Sequence, residues 1–383
     1  MMSWCSGSPL NWRMRCSPIR PAPKTTRRIG GTSLPGGVRR GGNYPNGVPE
    51  ERLPEGKIPP RVLREMLERL GEGAGLELGP AAGEDAAVAP AGSEPRLVLA
   101  ADPITFPTAD PGWHAVVVNA NDVAATGGEC RFFLSHVLLP PGTTEDRIAR
   151  IADGIRRGCE GVGAVPAGGH TEITSAVERE VVAGTMVGVA TAERVKPTGG
   201  AREGDMLIVT KGVAVEATAI VAAEREDEVR RVFGEDFQRR AAAFLTDPGI
   251  SVVEEARIAA GLPEVHAMHD VTEGGIATAV REMADAAELG AVLADAEIPR
   301  FYESKRLMAH FGLDILGAIG SGALLIACAE PETGELLDRL QGKGTPGHVI
   351  GRFLRRSSGI QLARGSVRRD LPVFDADELT RLA

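Results

Sequence analysis

The sequence predicts an α+β fold in two successive domains. Three observations carry that reading. Helix-period and strand-period apolar patterns alternate from Lys57 onward. A Pro/Gly-punctuated stretch, Lys196–Gly200, divides the alternation in two. The 383 residues, 43% hydrophobic and 25% charged, are enough for two ordinary cores. Aromatics make up only 4% while Gly numbers 48, so Ala, Val, Leu and Ile must fill those cores.

The elements follow in order. Pro59 and Pro60 open a helix to about Leu70, with Val62, Leu63, Met66, Leu67 and Leu70 at helical spacing. Gly71 ends it. Strands are expected at Ala86–Ala89, Leu97–Ala101, Phe132–Leu139, Ala164–Ala167 and Glu180–Ala190, with helices over 113–126 and Thr144–Cys159. The second domain starts on the buried-type strand Asp205–Thr210. Helices are expected at Ala214–Phe233, Phe237–Leu245, Ser251–Ala260, Thr272–Glu288 and Thr333–Leu340. Strands are expected at Val265–His269, Ala291–Ala294, Ala323–Ala329, Val349–Arg352 and Ile360–Ala363. The expected division is a basic extension at 1–50, read as disordered, domains at 56–195 and 200–365, and a tail at 366–383.

Charge narrows the function. Residues 1–50 hold eight Lys/Arg and one acid, so the remainder carries 35 basic and 51 acidic residues, a net of −16. A body that acidic lacks the basic footprint of a nucleic-acid binder. Five cysteines without a CxxC pair argue against a disulfide framework or zinc site and suit a reducing cytoplasm. No run reaches the length of a membrane span, and the first residues lack the apolar stretch of a signal peptide. Neither a P-loop nor a strand-following GxGxxG is present.

Five Gly-punctuated segments place polar groups at element ends. In Gly83-Glu84-Asp85-Ala86-Ala87-Val88, Asp85 precedes an apolar strand and either faces a ligand or sits in a solvated turn. In Ala101-Asp102-Pro103, Asp102 ends a strand, as a metal or phosphate ligand or as an Asp-Pro turn. Asn119 and Asp122 share one helical face, with Asn121 elsewhere on an otherwise apolar helix. Such groups need partners when buried, from a ligand or from an intrahelical network. In Gly168-Gly169-His170-Thr171-Glu172, two glycines at a strand end allow close approach to phosphate, Thr171 can donate and Glu172 can bind magnesium. In His269-Asp270-Val271-Thr272-Glu273-Gly274, Thr272 can cap a helix whose first N–H groups favour an anion.

In this order the segments resemble the superfamily of aminoimidazole ribonucleotide (AIR) synthase, HypE, selenophosphate synthetase and thiamine-monophosphate kinase, over residues 56–365 and nearest the HypE-like, AIR synthase-related branch. The resemblance implies a homodimer in which two N-terminal sheets pair into a barrel, with ATP in a cleft covered by the C-terminal domain. It implies Asp85, Asp102 and Asp122 as magnesium ligands, and Asn119, Gly168, Gly169, Thr171, His269, Asp270, Thr272, Glu273 and Gly274 around the nucleotide. His170, Lys57 and Glu172 are the implied chemical groups. The implied reaction passes the γ-phosphoryl to an amide-, carbamoyl- or formyl-type oxygen on a small or protein-borne acceptor. Two departures stand out. HypE proper ends in a carbamoyl-carrying cysteine, whereas the last cysteine here is Cys328. The branch with His after the two glycines also carries an N-terminal Cys-Lys pair, which this chain lacks; Lys57, in the segment EGKIPP, either reaches the phosphates or is a solvated lysine ahead of a helix. The competing expectations are a non-catalytic ATP-binding maturation or scaffold protein, and a metal-dependent hydrolase built on His114, His170 or His269.

Overall fold

The computed structural model describes residues 60–70, 75–81, 83–92, 95–106 and 108–382. Lys57 and the segment 1–50 lie outside the described residues.

The first half begins with α1 (Pro60–Leu70), then β1 (Ala87–Pro90), β2 (Arg96–Ala100) and β3 (Pro103–Ile104). It continues through α2 (Pro111–Ala125), β4 (Glu129–Leu139), α3 (Glu145–Val162), β5 (Val165–Ile173) and β6 (Val181–Ala190). The sheet order is β1-β2-β6-β4-β5, with β3 added on β6. Alternation along β6 buries Val182, Met186 and Ala190 under α2 and leaves the other face half-buried. Glycine lets α2 sit close: a Cβ on Gly188 would lie 2.3 Å from Val123 Cγ1, and one on Gly184 would lie 2.5 Å from Asn119 Nδ2. Asp110 caps α2 through Trp113 N–H, and Pro111 occupies its first turn.

The second half runs β7 (Met206–Thr210), α4 (Val215–Glu224), α5 (Glu226–Phe233), α6 (Glu235–Ala242), α7 (Val253–Ala260), β8 (Val265–Asp270) and α8 (Gly275–Ala286). Then come β9 (Leu289–Ala294), α9 (Tyr302–Phe311), β10 (Leu324–Cys328), α10 (Thr333–Gln341), β11 (Gly347–Arg355), β12 (Ile360–Arg364) and β13 (Val367–Asp370). The sheet order is β13-β12-β9-β11-β7-β10-β8. Its central strands β7 and β10 are buried on both faces, which explains their unbroken apolar runs. The 366–383 segment is no separate tail: β13 joins this sheet, and Leu371 is core.

Two sequence expectations change at the join between halves. Lys196–Gly200 is a packed seam rather than an open linker. Lys196 and Thr198 are buried, and Lys196 Nζ donates to Leu262 O at 3.1 Å. The Glu84 carboxylate accepts the N–H groups of Thr198 and Gly199 at 3.2 and 3.3 Å. The single long helix expected over 214–233 divides at Arg225 into α4 and α5.

Candidate active site

A cavity of about 610 Å³ opens between the two sheets. Its first-half wall carries Glu84 and Asp85 before β1, Asp102 after β2, and Asp122 on α2. Its second-half wall carries Glu216 on α4, His269 and Asp270 at the end of β8, Thr272 and Glu273 after it, and Glu282 on α8. A more open groove of about 650 Å³ beside Asp295, Arg300 and Arg364 gathers none of the motif residues.

The carboxylates crowd one another. Burial pushes the Asp122 carboxyl well above the usual range; the charges of Asp270, Asp102 and Asp85 push it further, as does its hydrogen bond to Asp102. Glu84 is likewise raised by burial, against the two N–H bonds of the seam. His269 lies between acids, with Nδ1 2.5 Å from Asp85 Oδ1 and Nε2 3.2 Å from Glu282 Oε2. Burial alone would lower its pKa, but Asp85 and Glu282 hold the imidazolium well above its ordinary range.

Ligand atoms of Asp85, His269 and Asp270 lie within 4.8 Å of one another. Carboxylate oxygens outnumber the imidazole in this group, and His269 Nδ1 lies against Asp85 Oδ1. Several hard, negatively charged oxygens in one pocket suit magnesium. Among the described residues lining this cavity, His269 is the only basic side chain.

Other motif residues fall elsewhere. The Asn119 amide is consumed by backbone: Oδ1 accepts Asp102 N–H at 2.9 Å, and Nδ2 donates to Asp102 O and Ala115 O at 3.0 and 2.8 Å. It holds the turn that carries Asp102 and does not line the cavity. Asn121 spans the halves, with Nδ2 on Ile250 O at 2.8 Å and Oδ1 accepting Val252 N–H at 2.9 Å. Gly168 and Gly169 form no strand-end turn. They lie inside β5, paired with Leu134 and Ser135 next to a register shift. Gly169 has φ +148, and a Cβ there would sit 1.8 Å from Ser135 O, so glycine is required to keep the strand paired. His170, Thr171 and Glu172 follow on this exposed strand at the sheet edge, outside the cavity. Thr272 does not cap α8, which begins at Gly275 after Gly274 at φ +78. The cap is long-range: Gly274 N–H donates to Asp377 Oδ2 at 2.8 Å, and Leu379 N–H to Asp377 Oδ1 at 2.9 Å. Burial, with Glu273 and Glu216 adding, pushes Asp377 up to about 6 against those two bonds.

Reading the sequence missed Glu84, Glu216 and Glu282 as cavity residues. Glu216 had a signal, being one acid within the apolar run Val213-Ala214-Val215-Glu216-Ala217. The three hydrolase histidines do not converge: His114 is buried against Glu216, His170 is exposed, and His269 sits in the acid cluster. The described cysteines are poor nucleophiles, since burial pushes Cys130 to about 12 and both Cys159 and Cys328 to about 11.

Residues 83–190 match the AIR synthase related protein N-terminal domain, and 202–361 match the C-terminal domain of the same family. The chain belongs to the AIR synthase related family. Among its relatives is the carbamoyl dehydratase HypE of Cupriavidus necator, 27% identical over 70% of this chain and 73% of that one. Selenide, water dikinase of Burkholderia ambifaria is 29% identical over 80% of this chain and 93% of that protein. Among solved structures, AaThiL complexed with AMPPCP and TMP has a TM-score of 0.67 at 20% identity, covering 84% of this chain and 98% of that one. Among the described residues no helix is long and apolar enough to cross a membrane.

Proposed function

We propose that this ATP-dependent enzyme of the AIR synthase related family activates an amide-, carbamoyl- or formyl-type oxygen by phosphoryl transfer. The observation that carries the reading is the convergence of Asp85, Asp102, Asp122 and Asp270 in one cavity between the sheets, where burial and then the neighbouring carboxylates raise the Asp122 carboxyl above its ordinary range. Like charges packed this closely favour a bound cation. Asp85, Asp102 and Asp122 would hold magnesium, with Asp270 beside them. Magnesium, when bound, neutralises phosphate charge and the charge that develops on the transferring group. The protein's own part is placement. Asn119 fixes the Asp102 turn, His269 orients Asp85, and the seam at Glu84 keeps both walls in register. The functions named for the relatives, carbamoyl dehydratase and selenide, water dikinase, support the class of chemistry.

The reading includes a homodimer in the cytoplasm. The half-buried face of β6 continues through Val187 onto Phe132 and Val165, which are 51% and 57% exposed. A second copy seated there would cover that face. His170, Thr171 and Glu172 sit on the same edge strand, and they contribute to chemistry only where a second copy carries them to its neighbour's cavity.

Calorimetric titration of the full chain with AMPPCP, with and without magnesium, tests the assignment. Magnesium-dependent binding that is lost in Asp102→Asn and Asp122→Asn is expected. Equal binding by wild type and both folded variants would remove the metal assignment. Binding without turnover of ATP across an acceptor screen would favour a scaffold role.

A further inference from the structure

We propose that the acceptor presents a nitrogen-bound hydrogen, of an amide or carbamoyl group, to Glu216, and that His114 is a positioning residue for that carboxylate. This deepens, and rests on, the phosphoryl-transfer reading above.

Glu216 lies in the first turn of α4, is 1% exposed and lines the cavity. Its Oε1 is 2.7 Å from His114 Nε2. Its Oε2 is buried and has no hydrogen-bond partner among the described residues. A buried carboxylate oxygen without a donor is unfavourable and points to a donor from outside the chain. His114, on α2 and fully buried, is fixed on all sides: Phe106 and Trp113 meet its ring edge-on at 5.1 and 6.1 Å, and Thr108 Oγ1 lies 3.4 Å from Nδ1. The ring therefore bridges the two side chains, with Nε2 facing Glu216 Oε1 and Nδ1 facing Thr108 Oγ1. The chain Thr108, His114, Glu216 ends at Oε2, an oxygen without a partner among the described residues.

The surroundings decide what that acceptor takes. Two acids, Glu273 and Asp377, lie at this end of the cavity. Both Asp377 oxygens are already taken by the backbone of Gly274 and Leu379. A single open carboxylate oxygen matches one N–H donor. An N–H held by a carboxylate also pushes nitrogen electron density toward the carbonyl oxygen, which makes that oxygen the better nucleophile for phosphorus.

Ligand-observed NMR on the full chain, saturated with magnesium and AMPPCP, tests this with acetamidinium, acetamide and N,N-dimethylacetamide as probes. Acetamidinium and acetamide should bind, and the dimethyl compound, which has no N–H, should not. Glu216→Gln should weaken acetamidinium by about tenfold or more, the loss of a charge-assisted hydrogen bond, while AMPPCP binding is unchanged. His114→Phe should weaken it too, and His114→Gln, which keeps an N–H donor, should recover part of the loss. Equal acetamidinium affinity in wild type and Glu216→Gln overturns the proposal, as does no probe binding to wild type. Failure of AMPPCP to bind wild type would instead overturn the nucleotide reading. Acetamidinium titration of the nucleotide-free chain would then still judge Glu216.

Discussion

Replacing Asp377 by asparagine should change how stability depends on pH. Burial raises this carboxyl from its ordinary 3.8 to about 6 in the folded chain. The unfolded chain releases the proton near the ordinary value, while the folded chain keeps it to about 6. The stability this group contributes is therefore complete below the unfolded pKa and is lost as pH rises through the folded one. A rise from 3.8 to about 6, at about 1.36 kcal/mol per pH unit, corresponds to about 3 kcal/mol lost across that window. Asparagine does not titrate. Urea unfolding of wild type and Asp377→Asn between about pH 4 and 7.5 should thus show wild type losing about 3 kcal/mol relative to the variant. The raised carboxyls of Glu84 and Asp122 occur in both proteins and cancel in the difference. Parallel stability profiles would refute the placement of Asp377 on the α8 N-terminus beside Glu273 and Glu216.

Two further outcomes follow from the packing. Asn121→Ala removes two buried hydrogen bonds and strands Ile250 O and Val252 N–H, so denaturant unfolding should report a loss of about 2–4 kcal/mol. Gly184→Ala would set a Cβ 2.5 Å from Asn119 Nδ2 and 2.5 Å from Phe133 Cε2. It should cost about 1–3 kcal/mol by overpacking. It should also weaken magnesium-dependent AMPPCP binding by shifting Asn119 off the Asp102 backbone; unchanged affinity would separate Asn119 from the site.

Much of the architecture was legible because period-2 and period-3.6 patterns are local. The strand at 181–190 and the helix at 145–162 lie within a few residues of where apolar spacing puts them. The cavity carboxylates Asp85, Asp102 and Asp122 were legible because each stands where an apolar run meets Gly or Pro, or alone on an apolar helix. What was not legible depends on partners far along the chain. Nothing near Thr272 shows that the cap of α8 comes from Asp377, more than a hundred residues later. Asn119 and Asn121 look alike in sequence, yet one holds a turn in its own half and the other crosses to Ile250. The strand through Gly168 and Gly169 was hidden because paired glycines read as a turn, whereas here they let a bulged strand stay in register.

The bond from Asn121 to the Ile250–Val252 backbone has a mechanical consequence. Asp122, the next residue, faces the cavity, so any sliding of one sheet past the other would drag a cavity carboxylate with it. The Glu84 contacts at Thr198 and Gly199 add a second tie at the segment that joins the halves. A change in the spacing of the halves would therefore have to break or carry along these bonds, which couples the spacing of the cavity walls to the position of one of its carboxylates.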